Sequence, residues 1–423
     1  MESLPPIPEW ISLEHQVAQI LTQQEQHGWY FNETSARELE SSLRTEYEET
    51  SKLLRNRYPY VSGSVFTPKR ANRTKGYVAN APFTKLKELN PTSRDHIAWI
   101  LSTHYDWQPS SLTNSGKAVI DETVLKDIGT DIALQFLTLL DLTKKLGMIS
   151  EGVNAWQKLV TTSSRIHHHC SVATATFRCA HRSPNLGQVP SDERFRKLFT
   201  ASPNLSMVGC DLAGVELRML AHYLARWDGG RYAEVLLHGD IHQENANKIG
   251  VSRKLVKTIS YAFLYGAGDQ KLGISYDKQL SPEKAKKKGK EIRKAYIDAI
   301  PGLEKLLEGV HKASEKGFVR GIDKRKILVD SKHKSLNYLI QGSSAILAKR
   351  WMLITNEHIK EMDLCCSQLA FVHDELQFEC TPEHVDDLKS LLVLSAAEAG
   401  EYYKLRIPIA AEASSGLNWA DTH

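Results

Sequence analysis

Apolar residues near the start of the chain recur at helical spacing. Leu13, Val17, Ile20 and Leu21 fall three or four apart, so they line one face of a 3.6-residue turn, and Ser12 stands in an N-cap position before them. A second helix is expected from Thr34 to Arg55, rich in Glu and Leu. Residues 56 to 91 lose the period. Pro59, Gly63, Pro68, Gly76, Pro82 and Pro91 punctuate them, and a basic cluster runs from Lys69-Arg70 to Lys75, so a mobile basic loop is expected. Helical spacing resumes at Arg94 to Ser102 and around Ala133 to Gly147.

From Ile166 to Phe177 the residues become short and β-branched, which suggests strands. The apolar run Leu205 to Asp211 ends at an acid, and helical spacing returns through Val215, Leu217, Leu220 and Leu224. Ser252 to Tyr265 reads as a helix closed by Gly266 and Gly268. Lys284 to Lys294 is strongly basic, most simply a solvated helix face, with contact to phosphates as the alternative. Leu369 to Cys380 reads as a β-hairpin, and no internal repeat or low-complexity stretch occurs.

A chain of 423 residues is too long for one core, so two or three subdomains are expected. The net charge of +4 (54 minus 50) is too small to establish nucleic-acid binding by itself; the distribution of charge must do that. The six cysteines, at 170, 179, 210, 365, 366 and 380, form no Cys-x-x-Cys pair and read as reduced intracellular thiols. Met1 to Pro6 lacks the basic and apolar regions of a signal peptide, and no apolar run approaches membrane-spanning length. A cytoplasmic protein with no membrane partner is therefore expected.

Three segments carry chemistry. In Cys210-Asp211-Leu212-Ala213-Gly214-Val215-Glu216-Leu217-Arg218 an acid closes a strand before a turn and a helix, which sets a carboxylate at a sheet rim. In Phe371-Val372-His373-Asp374-Glu375-Leu376 polar residues at a hairpin tip set a second carboxylate at another rim. Two acids from distant parts of a chain suit a two-metal site, with ions roughly 3.5 to 4 Å apart. The third segment runs from Arg253 to Gly266. Residues four apart drift by about 40° on a helix, so Arg253, Lys257 and Tyr261 share one face. Two cations followed by an aromatic ring match a nucleoside triphosphate.

Taken in order, Asp-x-x-x-x-Glu-Leu-Arg, Arg-x-x-x-Lys-x-x-x-Tyr-x-x-x-Tyr-Gly and His-Asp-Glu resemble motifs A, B and C of the family A (Pol I-like) DNA polymerases, most closely the replicative enzymes of short-tailed bacteriophages. The resemblance runs from about Leu13 to the C-terminus and includes Ser93-Arg94-Asp95-His96, Pro184 to Pro190 and Gly239-Asp240-Ile241-His242. It implies an α+β right hand with an antiparallel-sheet palm, helical fingers and a helical thumb. The boundaries expected are 1–165 for the N-terminal segment and thumb, 166–223 and 337–423 for the palm, and 224–336 for the fingers. Asp211 and Asp374 would hold two Mg²⁺ ions, with Mn²⁺ as a substitute. The Leu212 backbone carbonyl and Glu375 are further candidate ligands. Arg253, Lys257 and His242 would bind the triphosphate, and Lys257 could protonate the leaving pyrophosphate. Tyr261 would stack on the incoming base, its hydroxyl lying where a missing 3′-hydroxyl leaves space. Glu216 would lie under the sugar and exclude a 2′-hydroxyl. Arg178, Asn337, Gln341, His373 and Tyr265 would contact primer–template. Minor-groove acceptors recur at similar places in every base pair, so amides there test pairing geometry without reading sequence.

The chain also departs from that pattern. Phe177 stands between Thr176 and Arg178 where relatives carry glycine, which removes a permissive backbone position and leaves the path of that strand open. No Asp-x-Glu, the opening of the family's 3′–5′ exonuclease, occurs in the sequence, so a polymerase without proofreading is expected. The thumb stretch from about Arg57 to Pro91 is short. A thioredoxin clamp is not expected, and low unaided processivity is. Separately encoded exonuclease, helicase or single-strand-binding protein are candidate partners of a monomer. In His167-His168-His169-Cys170, neighbours on a strand alternate faces and do not converge on one ion. A single-subunit RNA polymerase and a non-catalytic primer–template-binding homologue are the rival readings.

Overall fold

The computed structural model describes residues 7–172, 174–277 and 280–423. Two compact units divide them: Glu33–Lys158 forms one, and the remaining described residues form the other.

In the first unit the helices Glu33–Arg57 and Asp131–Leu146 pack together, with Arg94–His104 sharing their core of Leu54, Ile97, Ile100, Leu101, Phe136 and Leu139. Each later helix starts at a hydroxyl cap. The Ser93 side chain accepts from His96 N–H, and the Thr130 side chain from Ala133 N–H. Residues 56–91 are not the mobile loop that their Pro and Gly content suggests. Strands Tyr60–Phe66 and Phe83–Glu88 pair antiparallel, and Asn72 pairs again with Tyr77 near the tip. Phe66, Tyr77 and Phe83 close a small aromatic cluster, with ring centroids 5.0, 5.7 and 4.7 Å apart.

The second unit is built on a four-stranded antiparallel sheet. Its order is Cys366–Val372, Glu375–Cys380, Ser206–Leu212, Ala411–Gly416. The helices Ser335–Glu361 and Val385–Tyr402 pack together, and Val385–Tyr402 lies against Ser206–Leu212 and Ala411–Gly416. Ser335–Glu361 is buried on nearly every side, including the uncharged run Gly342 to Ala348. The first helix, Glu9–His27, begins three residues before Ser12, which lies inside it; Pro8 caps it, its carbonyl accepting from Ile11 and Ser12 N–H. The strands expected across Ile166 to Phe177 are shorter. Among the described residues of this stretch only Arg165–Ile166 and His169–Ser171 form strands, and the chain then turns, with Phe177 N–H on the Thr174 carbonyl. Ala173 lies outside the described residues.

Charged side chains tie the first helix to this unit from below the surface. Glu14 accepts from Lys349 Nζ at 2.6 and 2.9 Å and from Arg325, which also donates to Asp323. The Lys349 side chain is 0% exposed and that of Arg325 is 3% exposed, so these ions depend on one another for solvation. Among the described residues no helix is long and apolar enough to cross a membrane.

Candidate active site

Asp211 and Asp374 meet at one rim of the sheet. Asp211 is the penultimate residue of Ser206–Leu212, and Asp374 sits in the tight turn joining Cys366–Val372 to Glu375–Cys380. One hydrogen bond fixes them side by side: Leu212 N–H donates to the Asp374 carbonyl at 3.0 Å. Burial, then the neighbouring carboxylates Glu375, Glu216 and Glu412, push Asp211 up to about 6. Burial, then Asp211 and Glu216, push Asp374 up to about 7. Crowded acids that resist ionisation are an unsatisfied demand for positive charge.

Glu375 lies directly opposite Asp211 in the strand register, yet its oxygens are engaged away from the rim. Oε1 accepts from Trp419 Nε1 at 2.6 Å and Gln377 Nε2 at 2.7 Å, and Oε2 lies 3.1 Å from His423 Nδ1. It adds negative charge to the site and steadies the strand after the turn.

Glu216, on the helix Val215–Asp228, is held from two sides. Arg178 Nη2 donates to its Oε1 at 2.6 Å, and Tyr265 Oη donates at 3.3 Å. Tyr265 is 46% exposed, so it is not a core aromatic. Its ring lies 6.4 Å from that of Tyr261, nearly parallel, and Tyr261 lies 6.3 Å from His242. The segment that follows is clamped, because Arg293 donates to Asp269 at 2.6 Å and to the Ala267 carbonyl.

Phe177 answers the question its position raised. It adopts φ +62°, the left-handed conformation that glycine takes freely, and so keeps a glycine's backbone path. Its ring packs on the main core, with the Arg325 guanidinium 4.9 Å from the ring centroid. Phe177→Gly is therefore expected to be more stable than Phe177→Ala by about 1 kcal/mol. Both lose the ring, but only alanine keeps the left-handed cost. Thermal unfolding of the two variants checks this; the usual order, alanine above glycine, would refute it.

The helix Arg253–Leu264 is capped by Ser252 and carries Arg253, Lys257 and Tyr261 on one face. Arg253 Nε donates to Asp240 Oδ2 at 2.6 Å, and Asp240 caps the helix Ile241–Ile249 that bears His242. One acid thus fixes the angle between the two elements. His242 is buried, with its pKa lowered first by burial and then by Arg253. Lys257 is exposed and has no ion pair among the described residues.

Asn337 lies beside Gly266, and its buried Oδ1 has no hydrogen-bond partner among the described residues; Gln341 follows one turn later on the same helix. His373 takes φ +62° in the turn before Asp374, and burial lowers its pKa. The histidine run disperses. His168 Nε2 meets Gln24, His167 meets the Glu25 carbonyl, and His169 meets the Glu25 carboxylate. Asp240, Trp419 and His423 belong to the site's support and were not singled out from sequence. Asp240 could have been found, as a cap two residues before His242. The tail residues gave no local signal, since their partners are 44 or more positions away.

Comparison with known proteins agrees with this geometry. The family model for DNA polymerase family A matches residues 68–421. The chain is 30% identical over 506 residues to the DNA-directed DNA polymerase of Enterobacteria phage T3, covering 98% of this chain and 70% of that one. The enzyme of Escherichia phage T7 gives 30% over 503 residues with the same coverage. The fold matches a solved POL domain of Pol1 from M. smegmatis in complex with DNA primer-template and dNTP. The TM-score is 0.78 at 20% identity, over 97% of this chain and 70% of that one. The chain belongs to DNA polymerase family A and is a DNA-directed DNA polymerase.

Proposed function

We propose that this chain adds deoxynucleotides to a primer 3′-hydroxyl by two-metal nucleotidyl transfer, releasing pyrophosphate. The observation that carries this reading is the pairing of Asp211 and Asp374 on adjoining strands, both held well above the usual carboxylate range. An all-oxygen donor set suits a hard divalent ion, Mg²⁺ first and Mn²⁺ as substitute. Among the described residues no three His, Cys, Asp or Glu side chains converge as a complete cage. That fits Mg²⁺, which takes one or two carboxylates and completes its shell with water and substrate phosphate. The Leu212 carbonyl is the remaining protein donor in this reading. Bound there, two ions would lower the pKa of the attacking hydroxyl and stabilise the departing oxygen.

The protein's own side chains do the rest. Arg253, Lys257 and His242 bind the triphosphate, and Lys257, exposed and without an ion pair among the described residues, supplies a proton to the leaving pyrophosphate. Tyr261 stacks on the incoming base. Glu216 blocks a 2′-hydroxyl, and its bonds to Arg178 and Tyr265 fix the height of that block. Arg178, Asn337, Gln341, His373 and Tyr265 meet the primer–template. The unpartnered Asn337 Oδ1 supports that role, since a buried polar atom without a partner is costly unless something arrives. In this reading the palm takes 166–223 and 337–423, the fingers 224–336 and the N-terminal segment and thumb 1–165. Likeness to the T3 and T7 enzymes supports a role in phage DNA replication in the host cytoplasm, as a monomer served by separately encoded factors.

The test is extension of a labelled primer–template with Mg²⁺ and deoxynucleotides, followed by nucleotide removal. Extension without later shortening is expected, because the 423 residues contain no Asp-x-Glu. No extension overturns the reading, and shortening overturns its exonuclease-free part. In the same assay Tyr261→Phe is expected to lower acceptance of dideoxynucleotides, since the ring loses the hydroxyl that fills the 3′ position; unchanged discrimination removes that role.

A further inference from the structure

The first helix, Glu9–His27, buries an apolar stripe of Leu13, Val17, Ile20 and Leu21 and then continues it with an amide. Gln24 is 1% exposed. A leucine there would be buried without desolvating a polar group, whereas a buried amide needs partners. Gln24 finds them on two other elements. Its Oε1 accepts from Gln368 Nε2 at 2.8 Å, and its Nε2 lies 3.0 Å from His168 Nε2. Gln368 is itself buried, and its Oε1 has no hydrogen-bond partner among the described residues.

Gln24 and Gln368 both line a cavity of about 240 Å³ between the first helix, the helix Ser335–Glu361 and the sheet. Cys366 and Ser367, which also line it, open the strand that Asp374 follows, so the cavity lies at the other end of the hairpin from the two acids. Ile20, Ile359 and Phe378 give it apolar walls. Gln23, Asn356 and Ser367 add amide and hydroxyl groups that have no side-chain hydrogen bond among the described residues. Free charge is missing from this lining. No Lys, Arg, Asp or Glu belongs to it among the described residues. His27 is committed to Glu379 Oε1 at 2.6 Å, and burial pushes the Cys366 thiol up to about 12, which keeps it neutral.

We propose that this cavity is a binding site for an uncharged nucleobase or nucleoside. Each amide offers both a donor and an acceptor, and so does the edge of a base. Apolar walls suit the two faces of a flat ring. A purely apolar ligand would leave the amides and the hydroxyl unsatisfied, which is costly once water is displaced. The volume lies below the roughly 300 Å³ at which sites for drug-sized ligands begin, so the occupant is limited to one or two rings. A phosphate would find no cation here. The order of preference is therefore the reverse of that expected beside Arg253 and Lys257, where phosphate is what binds.

The test is equilibrium dialysis of the full chain against labelled adenine, cytosine and thymine, the four deoxynucleosides and their monophosphates. No DNA or divalent ion is present, so the result does not depend on the polymerase chemistry. One equivalent of at least one base or deoxynucleoside is expected to bind, with a dissociation constant of about 0.1 to 1 mM, in keeping with a ligand of about ten to twenty non-hydrogen atoms. The matching monophosphate should bind about ten-fold or more weaker. Gln23 is exposed and Asn356 half-buried, so Gln23→Leu with Asn356→Leu removes polar groups at little risk to folding. That variant should lose about ten-fold in affinity at an unchanged melting temperature. Ser367→Phe fills the cavity from the strand and should abolish uptake. Tyr261→Ala should bind as wild type does. Tighter binding of base or of nucleoside names the ligand, and either supports the proposal. Absence of saturable uptake by the wild type overturns it. Uptake that Tyr261→Ala loses and Gln23→Leu with Asn356→Leu keeps also overturns it, because the base would then sit on the helix that carries Arg253 and Lys257.

Discussion

Asp374→Asn is expected to slow nucleotide addition by about 10³-fold or more while leaving DNA affinity within a few-fold. The carboxyl is pushed up to about 7 by burial and by the charges of Asp211 and Glu216. Burial and a second acid at about 6 favour the protonated form of this group, and a bound divalent cation would instead favour the charged one. Asparagine keeps the shape and one oxygen but removes the charge. Losing one of two anchors for ions that contribute several kcal/mol to the transition state removes about 4 kcal/mol, at about 1.36 kcal/mol per tenfold in rate. DNA affinity is not expected to fall with it, because neutralising an acid near a polyanion reduces repulsion. Single-turnover incorporation from a preformed complex measures the rate, and a titration without nucleotides measures affinity. A rate within about ten-fold of wild type would remove Asp374 from the chemistry.

The parts of the site that were legible in sequence share a property: each is determined by neighbours a few residues away. Asp211 and Asp374 could be found because each interrupts an apolar strand at its end, and the turn that follows is encoded locally. Arg253, Lys257 and Tyr261 could be grouped because helical period alone sets their face, and Ser252 marks where that helix begins. The hairpin from Tyr60 to Glu88 was misread for the opposite reason. Its prolines and glycines speak for a loop, while its order comes from cross-strand pairing and from three aromatics at irregular spacing. Glu375 shows the same split within the site: register and charge make it a candidate ligand, while two of the three side chains that engage its oxygens, Trp419 and His423, lie far along the chain, Gln377 being the third. Phe177 lies between these extremes. Sequence identified the position as one that wants glycine, and the structure shows the backbone obeying that demand while the side chain gains a partner in Arg325.

Glu14→Ala is expected to cost about 3–5 kcal/mol in the unit that contains the sheet, the largest stability loss expected of any substitution named here. Glu14 and Lys349 are 335 positions apart, so nothing local in the sequence pairs them. The lysine side chain is wholly buried, and both of its hydrogen bonds go to the two Glu14 oxygens. Removing the carboxylate leaves an ammonium in a low-dielectric interior with neither solvent nor counter-charge. It also strips Arg325 of one of its two acids, and that guanidinium already carries a buried Nη2 with no hydrogen-bond partner among the described residues. Breaking a buried pair from one side is costly for this reason, whereas removing both partners is often tolerated. The double variant Glu14→Ala, Lys349→Met is accordingly expected to recover much of the loss, since methionine fills similar space without a charge. Urea midpoints of wild type, single and double variants measure the cycle. A cost below about 1 kcal/mol for Glu14→Ala would mean that water reaches Lys349 and that the pair is not what holds the first helix to the sheet unit. A double variant no better than the single would mean that Glu14 acts through Arg325, and hence through the ring of Phe177 and the turn that carries Arg178.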